Sequence, residues 1–207
     1  CHLSPQEPVN LLVHSMGGNI ACIYAGVRPD RIKKLINLEG FGMPATQAEQ
    51  APRRYASWLQ ELQKPPVIRP YATQADVVAR LQKNNRRLNN ERAAFLAEHW
   101  ATKNAEGKWE ILGDPAHKIM SPLLYHVDEA TACWSAIKAP VLWVEADDTD
   151  VWRWMGQKDT ARIEIDRRIQ YIANVRTEMI EDAGHMLHHD QPEKLASLVE
   201  AFLMSTM

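Results

Sequence analysis

The stretch VNLLVHSMGGNIACIYAG, Val9 to Gly26, changes its pattern abruptly. Its first part, Val9 to Val13, is a short apolar run of the kind that forms a buried strand. Its second part has apolar residues at the helical positions i, i+3, i+4 and i+7, counted from Ile20. Ser15 lies where the two patterns meet. The stretch therefore predicts a strand that turns sharply into a helix, with a hydroxyl group at the corner.

A second strand is predicted at Ile32 to Leu38, which ends at Glu39 and Gly40. Strand, helix and strand in this order form the unit that builds parallel sheets. The alternation resumes after residue 140, where the predicted elements are a strand at 141–144, a helix at 158–172, a strand at 175–180 and a helix at 192–204. We therefore predict an α/β fold with a mostly parallel sheet flanked by helices.

Residues 43–124 do not follow this alternation. Three amphipathic helices are predicted there, at 47–63, 73–84 and 90–102, followed by a short strand or loop at 107–112. We therefore divide the chain into a core part at residues 1–42, a helical insertion at 43–124 and a second core part at 125–207.

A serine at a sharp turn between strand and helix is typical of a nucleophile elbow. Such a turn exposes the hydroxyl at the carboxyl edge of the sheet and directs the N–H of the next residue, here Met16, at an oxygen that becomes charged. Gly17 and Gly18 are expected to let the helix pack closely behind the corner. Where the usual pattern has a first glycine, this chain has Val13, whose branched side chain either disturbs the turn or adjusts it.

Composition excludes several other classes of protein. The net charge of -2 and the pI near 6.5 indicate no basic surface for nucleic acid or an anionic membrane, and no apolar run is long enough to span a membrane. The 3 cysteines show no CxxC spacing, which argues against disulfides or a zinc site and predicts a reducing, cytoplasmic location. His188 and His189 are expected in a solvated loop or helix start, because adjacent side chains diverge.

Three segments resemble the α/β-hydrolase superfamily, in particular its esterase-like branch with a helical cap. They are VHSMGGNIACIYAGVRPDRIKKLINLEG, APVLWVEADDTD and DAGHMLHHDQPEKLASLVEAFL. The resemblance implies that residues 43–124 form the cap. It also implies a serine hydrolase that cleaves a small apolar ester or related acyl substrate through an acyl-enzyme, without a metal or an organic cofactor.

A serine nucleophile needs a base, and an acid orients that base. In the family that this chain resembles, the three residues follow in the order serine, acid, histidine. Ser15 is the expected nucleophile and His185, in DAGH, the expected base. The segment EADDTD follows the strand at 141–144 and offers Asp148 and Asp150 as equally favoured acids, ahead of Asp147. Glu39 is the fallback, because some family members carry the acid at the end of the earlier strand.

Members of the family place several strands and helices before the nucleophile strand, whereas this chain opens with CHLSPQEP, which resembles the end of a helix leading into it. We therefore expect that the N-terminal part of the fold is missing. A missing N-terminal segment or a second chain is expected to pair with the strand at Val9 to Val13. The alternative to an enzyme is a non-catalytic ligand-binding or receptor protein, which Val13 favours and which intact Ser15 and His185 disfavour.

Overall fold

The computed structural model describes residues 7–205, and its main sheet is parallel. The strands are β1 (Val9–His14), β2 (Ile32–Leu38), β3 (Ala101–Lys103), β4 (Trp109–Ile111), β5 (Val141–Ala146) and β6 (Val175–Ile180). The main sheet has the order β1-β2-β5-β6, and β3 pairs antiparallel with β4. Because all four strands of the main sheet are parallel, their carboxyl ends meet at one edge. The α/β fold expected from the sequence is confirmed.

Helices precede or follow each strand of the main sheet. They are α1 (Met16–Val27), α2 (Ala51–Gln63), α3 (Gln74–Asn84), α4 (Asn90–Trp100), α5 (Val127–Ser135), α6 (Trp152–Met155), α7 (Lys158–Ile169), α8 (Leu187–Asp190) and α9 (Pro192–Met204). Within residues 7–205, no helix combines the length and the apolar character that crossing a membrane requires.

The chain divides into two compact units. The first contains the main sheet and is formed by residues up to Ala45 and from Tyr125 onward, and the second is Thr46–Leu124. The second unit contains α2, α3, α4 and the β3–β4 hairpin, so its bounds lie close to those of the predicted insertion. The predicted helix at 90–102 ends earlier, at Trp100, because the next three residues pair with β4.

The main sheet lies between two layers of helices, and alternate residues of its strands face opposite layers. On one side Leu35 and Trp143 belong to the apolar cluster that contains residues of α1, α5 and α7. On the other side Ile36 and Leu142 pack in the cluster that contains Phe202 and other residues of α8 and α9. The central strands β2 and β5 are thus buried on both faces, as expected for parallel strands.

Close packing between α1 and the end of β2 depends on two glycines. A Cβ atom on Gly18 would lie 2.1 Å from Asn37 Oδ1 and 2.9 Å from the Cα of Gly40. A Cβ atom on Gly17 would meet only Val13, at an ordinary 3.8 Å. Of the two glycines singled out in the sequence, Gly18 is therefore the one that the close packing requires, and it brings the start of α1 next to the residues that follow β2.

Strand β1 is an edge of the main sheet as far as residues 7–205 are concerned. Apolar side chains on β1 and α1 are also exposed: Leu12 is 54% exposed, and Ile20 and Val27 are each 60% exposed. Residues 1–6, which carry most of the predicted helix end before β1, lie outside the described residues. The described structure therefore shows an open strand edge beside an exposed apolar helix face.

Candidate active site

Ser15 occupies the tip of the turn between β1 and α1. Its φ of 51° and ψ of -116° place it in a region that residues other than glycine seldom adopt. Its N–H donates to the carbonyl oxygen of Leu38 at 2.8 Å, which ties the turn to the end of the neighbouring strand β2. The strained turn forms although Val13 stands where the usual pattern has glycine, so the branched residue does not prevent it.

His185 lies on the loop between β6 and α8 and reaches Ser15. Its Nε2 is 2.9 Å from Ser15 Oγ, and its side chain is 15% exposed. This distance is within the range of a hydrogen bond between a hydroxyl group and an imidazole. The two residues are 170 positions apart in the chain, and the parallel sheet brings them to the same edge.

The carboxylate that contacts the other side of the His185 ring belongs to Glu39. Glu39 Oε2 lies 3.1 Å from His185 Nδ1, and the Glu39 side chain is fully buried. Like Ser15, Glu39 has a positive φ, here 54°. Ser15, His185 and Glu39 therefore form a continuous hydrogen-bonded chain at the carboxyl edge of the sheet.

The expectation that Asp148 or Asp150 contacts His185 is wrong in this structure. Asp148 is exposed, and its backbone N–H donates to the Ala183 carbonyl at 3.0 Å. The carboxylate of Asp150 pairs with Arg153 at 3.1 Å. The position is taken by the fallback residue Glu39, which directly follows β2. The physical reason is that the loop after β5 directs a backbone N–H and a hydroxyl at the Glu39 carboxylate instead of directing its own carboxylates at His185.

The loop that was expected to supply the acid instead holds Glu39 in place. The backbone N–H of Ala146 donates to Glu39 Oε1 at 2.8 Å, and the hydroxyl of Thr149 donates to Oε2. Burial raises the pKa of Glu39, whereas the hydrogen bonds from His185, Thr149 and Ala146 act in the opposite direction. A buried carboxylate with donors on both oxygens is therefore fixed in position beside the imidazole.

The third aspartate of the same loop, Asp147, supports the histidine loop. Its carboxylate accepts hydrogen bonds from the N–H groups of Asp182 and Ala183, each at 3.1 Å. Asp190 binds the next residue, because its Oδ2 accepts from the N–H of Gly184 at 2.8 Å. These contacts fix the backbone immediately before His185.

Three further histidines surround the site. The ring of His14 packs against that of His188 at a centroid distance of 4.5 Å, and the ring of His188 packs against that of His189 at 4.1 Å, each pair tilted by 59°. Burial lowers the pKa of His14 to about 4 and that of His188 to about 3, and it also lowers the pKa of His189. His188 and His189 lie in the first turn of the short helix α8, in agreement with the expected helix start, but they are half-buried and not fully solvated.

None of the described side chains form a cluster of three or more His, Cys, Asp or Glu residues arranged to hold a metal ion. Beside Ser15 lies a cavity of about 210 Å³. Its apolar walls are formed by Met16, Phe41, Met43, Val151, Trp154 and Met155. Among the described residues that line it, the ionisable side chains are those of Glu39 and His185.

The N–H of Met16 belongs to the residue that directly follows Ser15. Met16 is the first residue of α1, and the first N–H groups of a helix have no carbonyl partner within that helix. A helix N-terminus also carries a partial positive charge that favours an anion. The arrangement thus combines a hydroxyl, an imidazole, a carboxylate and one backbone donor around an apolar cavity.

Comparison with known families identifies the family of this chain. Residues 1–192 match the family model described as alpha/beta hydrolase fold. The chain belongs to the α/β-hydrolase family. The match includes β1, the elbow, Glu39 and His185, so that each part of the hydrogen-bonded chain lies within the region that the family model describes.

Solved structures with the same fold are similar to this α/β-hydrolase. Hypothetical protein PA1622 from Pseudomonas aeruginosa PAO1 has a TM-score of 0.80 and 21% identity over 96% of this chain and 68% of that chain. The thioesterase domain from the curacin biosynthetic pathway has a TM-score of 0.74 and 23% identity over 96% and 67%. The esterase Rv0045c from Mycobacterium tuberculosis has a TM-score of 0.65 and 19% identity over 98% and 62%. These similarities show the shared fold.

No curated protein sequence matches this α/β-hydrolase significantly. Sequence reasoning ranked Glu39 below the aspartates and missed His14 and Thr149. One signal for Glu39 was available, because it directly follows the predicted strand and precedes Gly40 at the edge where Ser15 emerges. No sequence signal identified Thr149 as a donor to a residue on another strand.

Proposed function

We propose that this α/β-hydrolase is a serine hydrolase that cleaves carboxylic esters or related acyl compounds through an acyl-enzyme. The observation that carries the proposal is the hydrogen-bonded chain from Ser15 Oγ through His185 to Glu39, with distances of 2.9 Å and 3.1 Å. A nucleophile, a base and an orienting acid in contact are the groups that carry out this chemistry in serine hydrolases.

In the proposed reaction Ser15 Oγ attacks the carbonyl carbon of the substrate while its proton passes to His185 Nε2. The N–H of Met16 donates to the oxygen that becomes negative. The bond to the leaving group then breaks, and His185 returns the proton to the leaving oxygen. In the second half of the reaction, water gives a proton to His185 Nε2 and attacks the acyl carbon. The bond between that carbon and Ser15 Oγ then breaks, His185 returns the proton to Ser15 Oγ, and the acid leaves. In both halves of the reaction, Glu39 stabilises the imidazolium that forms when His185 accepts a proton.

The cavity beside Ser15 supports an uncharged acyl group of small size. Its volume of about 210 Å³ is below the range of roughly 300–1,000 Å³ that is usual for pockets that bind drug-sized ligands. Methionine side chains at three positions give a wall that adapts to the shape of an apolar chain. We therefore propose short apolar acyl esters as substrates and include thioesters, since they react through the same steps.

A fluorophosphonate probe tests the proposal directly, because it forms a covalent bond with an activated serine. We expect the wild-type protein to gain the mass of one probe adduct and Ser15→Ala to gain none, as measured by intact-protein mass spectrometry. Ser197→Ala, at an exposed serine of α9, is the matched control and should be labelled like the wild type. Absence of labelling in the wild type would contradict the proposed enzyme and favour the receptor interpretation.

We further propose that a polypeptide strand pairs with the open edge of β1 and covers the apolar face of α1. An unpaired edge next to exposed Leu12, Ile20 and Val27 is a template for association. The similar solved chains are longer, since this chain covers 67% and 68% of two of them.

The 207-residue chain alone is therefore expected to self-associate, which size-exclusion chromatography with light scattering measures. Introducing a charge by Ile20→Lys should reduce the association, whereas Ile163→Lys, on exposed Ile163 of α7, should leave it unchanged. A monomer with a single cooperative thermal transition would contradict the proposed strand pairing.

A further inference from the structure

His14 occupies a position between the nucleophile and the base. It is the last residue of β1 and directly precedes Ser15. Its Nε2–H donates to the backbone carbonyl oxygen of His185 at 2.7 Å. Its ring centroid also lies 4.8 Å from that of His185. One side chain thus binds the backbone of the base and packs against its ring.

The other contacts to the histidine loop hold residues before His185. Asp147 binds the N–H groups of residues 182 and 183, and Asp190 binds the N–H of Gly184. The hydrogen bond from His14 acts at His185 itself, on its carbonyl group. It also starts from the strand that carries Ser15, so it links the backbone of the nucleophile to the backbone of the base.

This link bears on the reaction because proton transfer depends on the separation between Ser15 Oγ and His185 Nε2. A misplacement of about 1 Å in a catalytic arrangement can lower the rate about 100-fold. His185 is held at Nδ1 by Glu39. The backbone before it is held by Asp147 and Asp190. The bond from His14 restrains a different point, the carbonyl group of His185 itself.

The charge of His14 is compatible with this role. Burial lowers its pKa to about 4, so the ring is neutral near pH 7 and does not repel a proton on His185. His188, whose ring centroid lies 4.5 Å from that of His14, has its pKa lowered to about 3, mainly by burial as well. A lysine or arginine at position 14 would donate to the same carbonyl but would oppose the formation of the imidazolium.

We propose that His14 is a positioning residue, whose hydrogen bond to the His185 carbonyl sets the distance between the proposed base and Ser15. The proposal rests on the proposed serine hydrolase function. It predicts a loss of kcat without a change in substrate binding when the donor is removed, since His14 is absent from the lining of the cavity beside Ser15.

Two variants separate the hydrogen bond from the packing of the ring. His14→Phe keeps an aromatic ring against His185 and removes the donor. His14→Gln removes the ring but keeps an N–H group that reaches as far as Nε2 of histidine. On a p-nitrophenyl ester of a short acyl chain, we expect His14→Phe to lower kcat by about 10- to 100-fold with KM within twofold of the wild type. His14→Gln should restore kcat to within about threefold, and the control His189→Ala should match the wild type.

Thermal melts of each variant identify a loss of folding. Equal losses of kcat in both variants, or full activity of His14→Phe, would overturn the positioning role. Failure of the positioning role can be told apart from failure of the proposed function. If the proposed function were wrong, turnover by the wild-type protein would not depend on Ser15. For that case the chemical shift of the proton on His185 Nδ1 gives a readout without substrate. We expect it to move in His14→Phe and to return in His14→Gln, and an unchanged shift in both would also overturn the proposal.

Discussion

Replacing His185 by alanine is expected to lower kcat for ester hydrolysis by roughly six orders of magnitude, with KM little changed. The reason is that Ser15 Oγ has its hydrogen-bond partner in His185 Nε2, and an unactivated serine hydroxyl is a weak nucleophile at neutral pH. Steady-state kinetics on a p-nitrophenyl ester measures the change. The amplitude of the thermal unfolding transition gives the concentration of folded protein to which kcat is referred.

The matched control for His185→Ala is His189→Ala. His189 lies in α8, shortly after His185 in the chain, and its ring packs against that of His188. It should retain wild-type kcat, because Glu39 and Ser15 bind the two ring nitrogens of His185, whereas the ring of His189 packs against that of His188. If His185→Ala kept more than about one tenth of the wild-type kcat, the assignment of His185 as the base would be wrong.

Replacing Glu39 by glutamine is expected to lower kcat by about four orders of magnitude. Glutamine has nearly the same size, but it removes the negative charge that stabilises the protonated imidazole and favours the wrong orientation of the ring. The N–H of Ala146 keeps the amide oxygen as its acceptor, and the hydroxyl of Thr149 turns to accept from the amide N–H, so the fold should be retained. Kinetics and a thermal melt measure the two effects separately.

Asp148→Asn and Asp150→Asn are the controls that decide which residue is the acid. Each should change kcat less than about threefold, because neither carboxylate occupies the position beside His185 Nδ1 that Glu39 fills. A large loss in Asp148→Asn together with an active Glu39→Gln would move the acid to the loop after β5 and refute the geometry described for Glu39.

The elbow could be predicted from sequence because its determinants are local. The apolar run of β1, the serine and the glycines all lie within a few residues, and the observed strand Val9–His14 and helix Met16–Val27 follow the predicted ones closely. The strand predicted at 175–180 is observed at the same bounds. Its β-branched residues Val175, Thr177 and Ile180 favour a strand. Local pattern was enough for these elements.

The acid could not be predicted because the choice depends on distances between strands. Glu39, Asp147, Asp148 and Asp150 all follow strands that end at the same edge of the sheet. Which of them meets His185 depends on the positive φ of Glu39 and on donors from Ala146 and Thr149, which lie more than a hundred positions away in the chain. The role of His14 was hidden for the same reason, since its partner is a backbone carbonyl 171 positions away.

Glu39 follows β2, and Ser15 follows the neighbouring strand β1, which has a consequence for how the site forms during folding. Nucleophile and acid are contained in one β1–α1–β2 unit, whose contacts are local in sequence and form at low entropic cost. His185 is 146 positions from Glu39 and 170 from Ser15, so it arrives only when β5 and β6 have joined the sheet. Before β5 joins, we expect the Glu39 carboxylate to lack the hydrogen bonds from Ala146 and Thr149. Closure of the long connection between β2 and β5 encloses Glu39. The addition of β6 then aligns the three side chains.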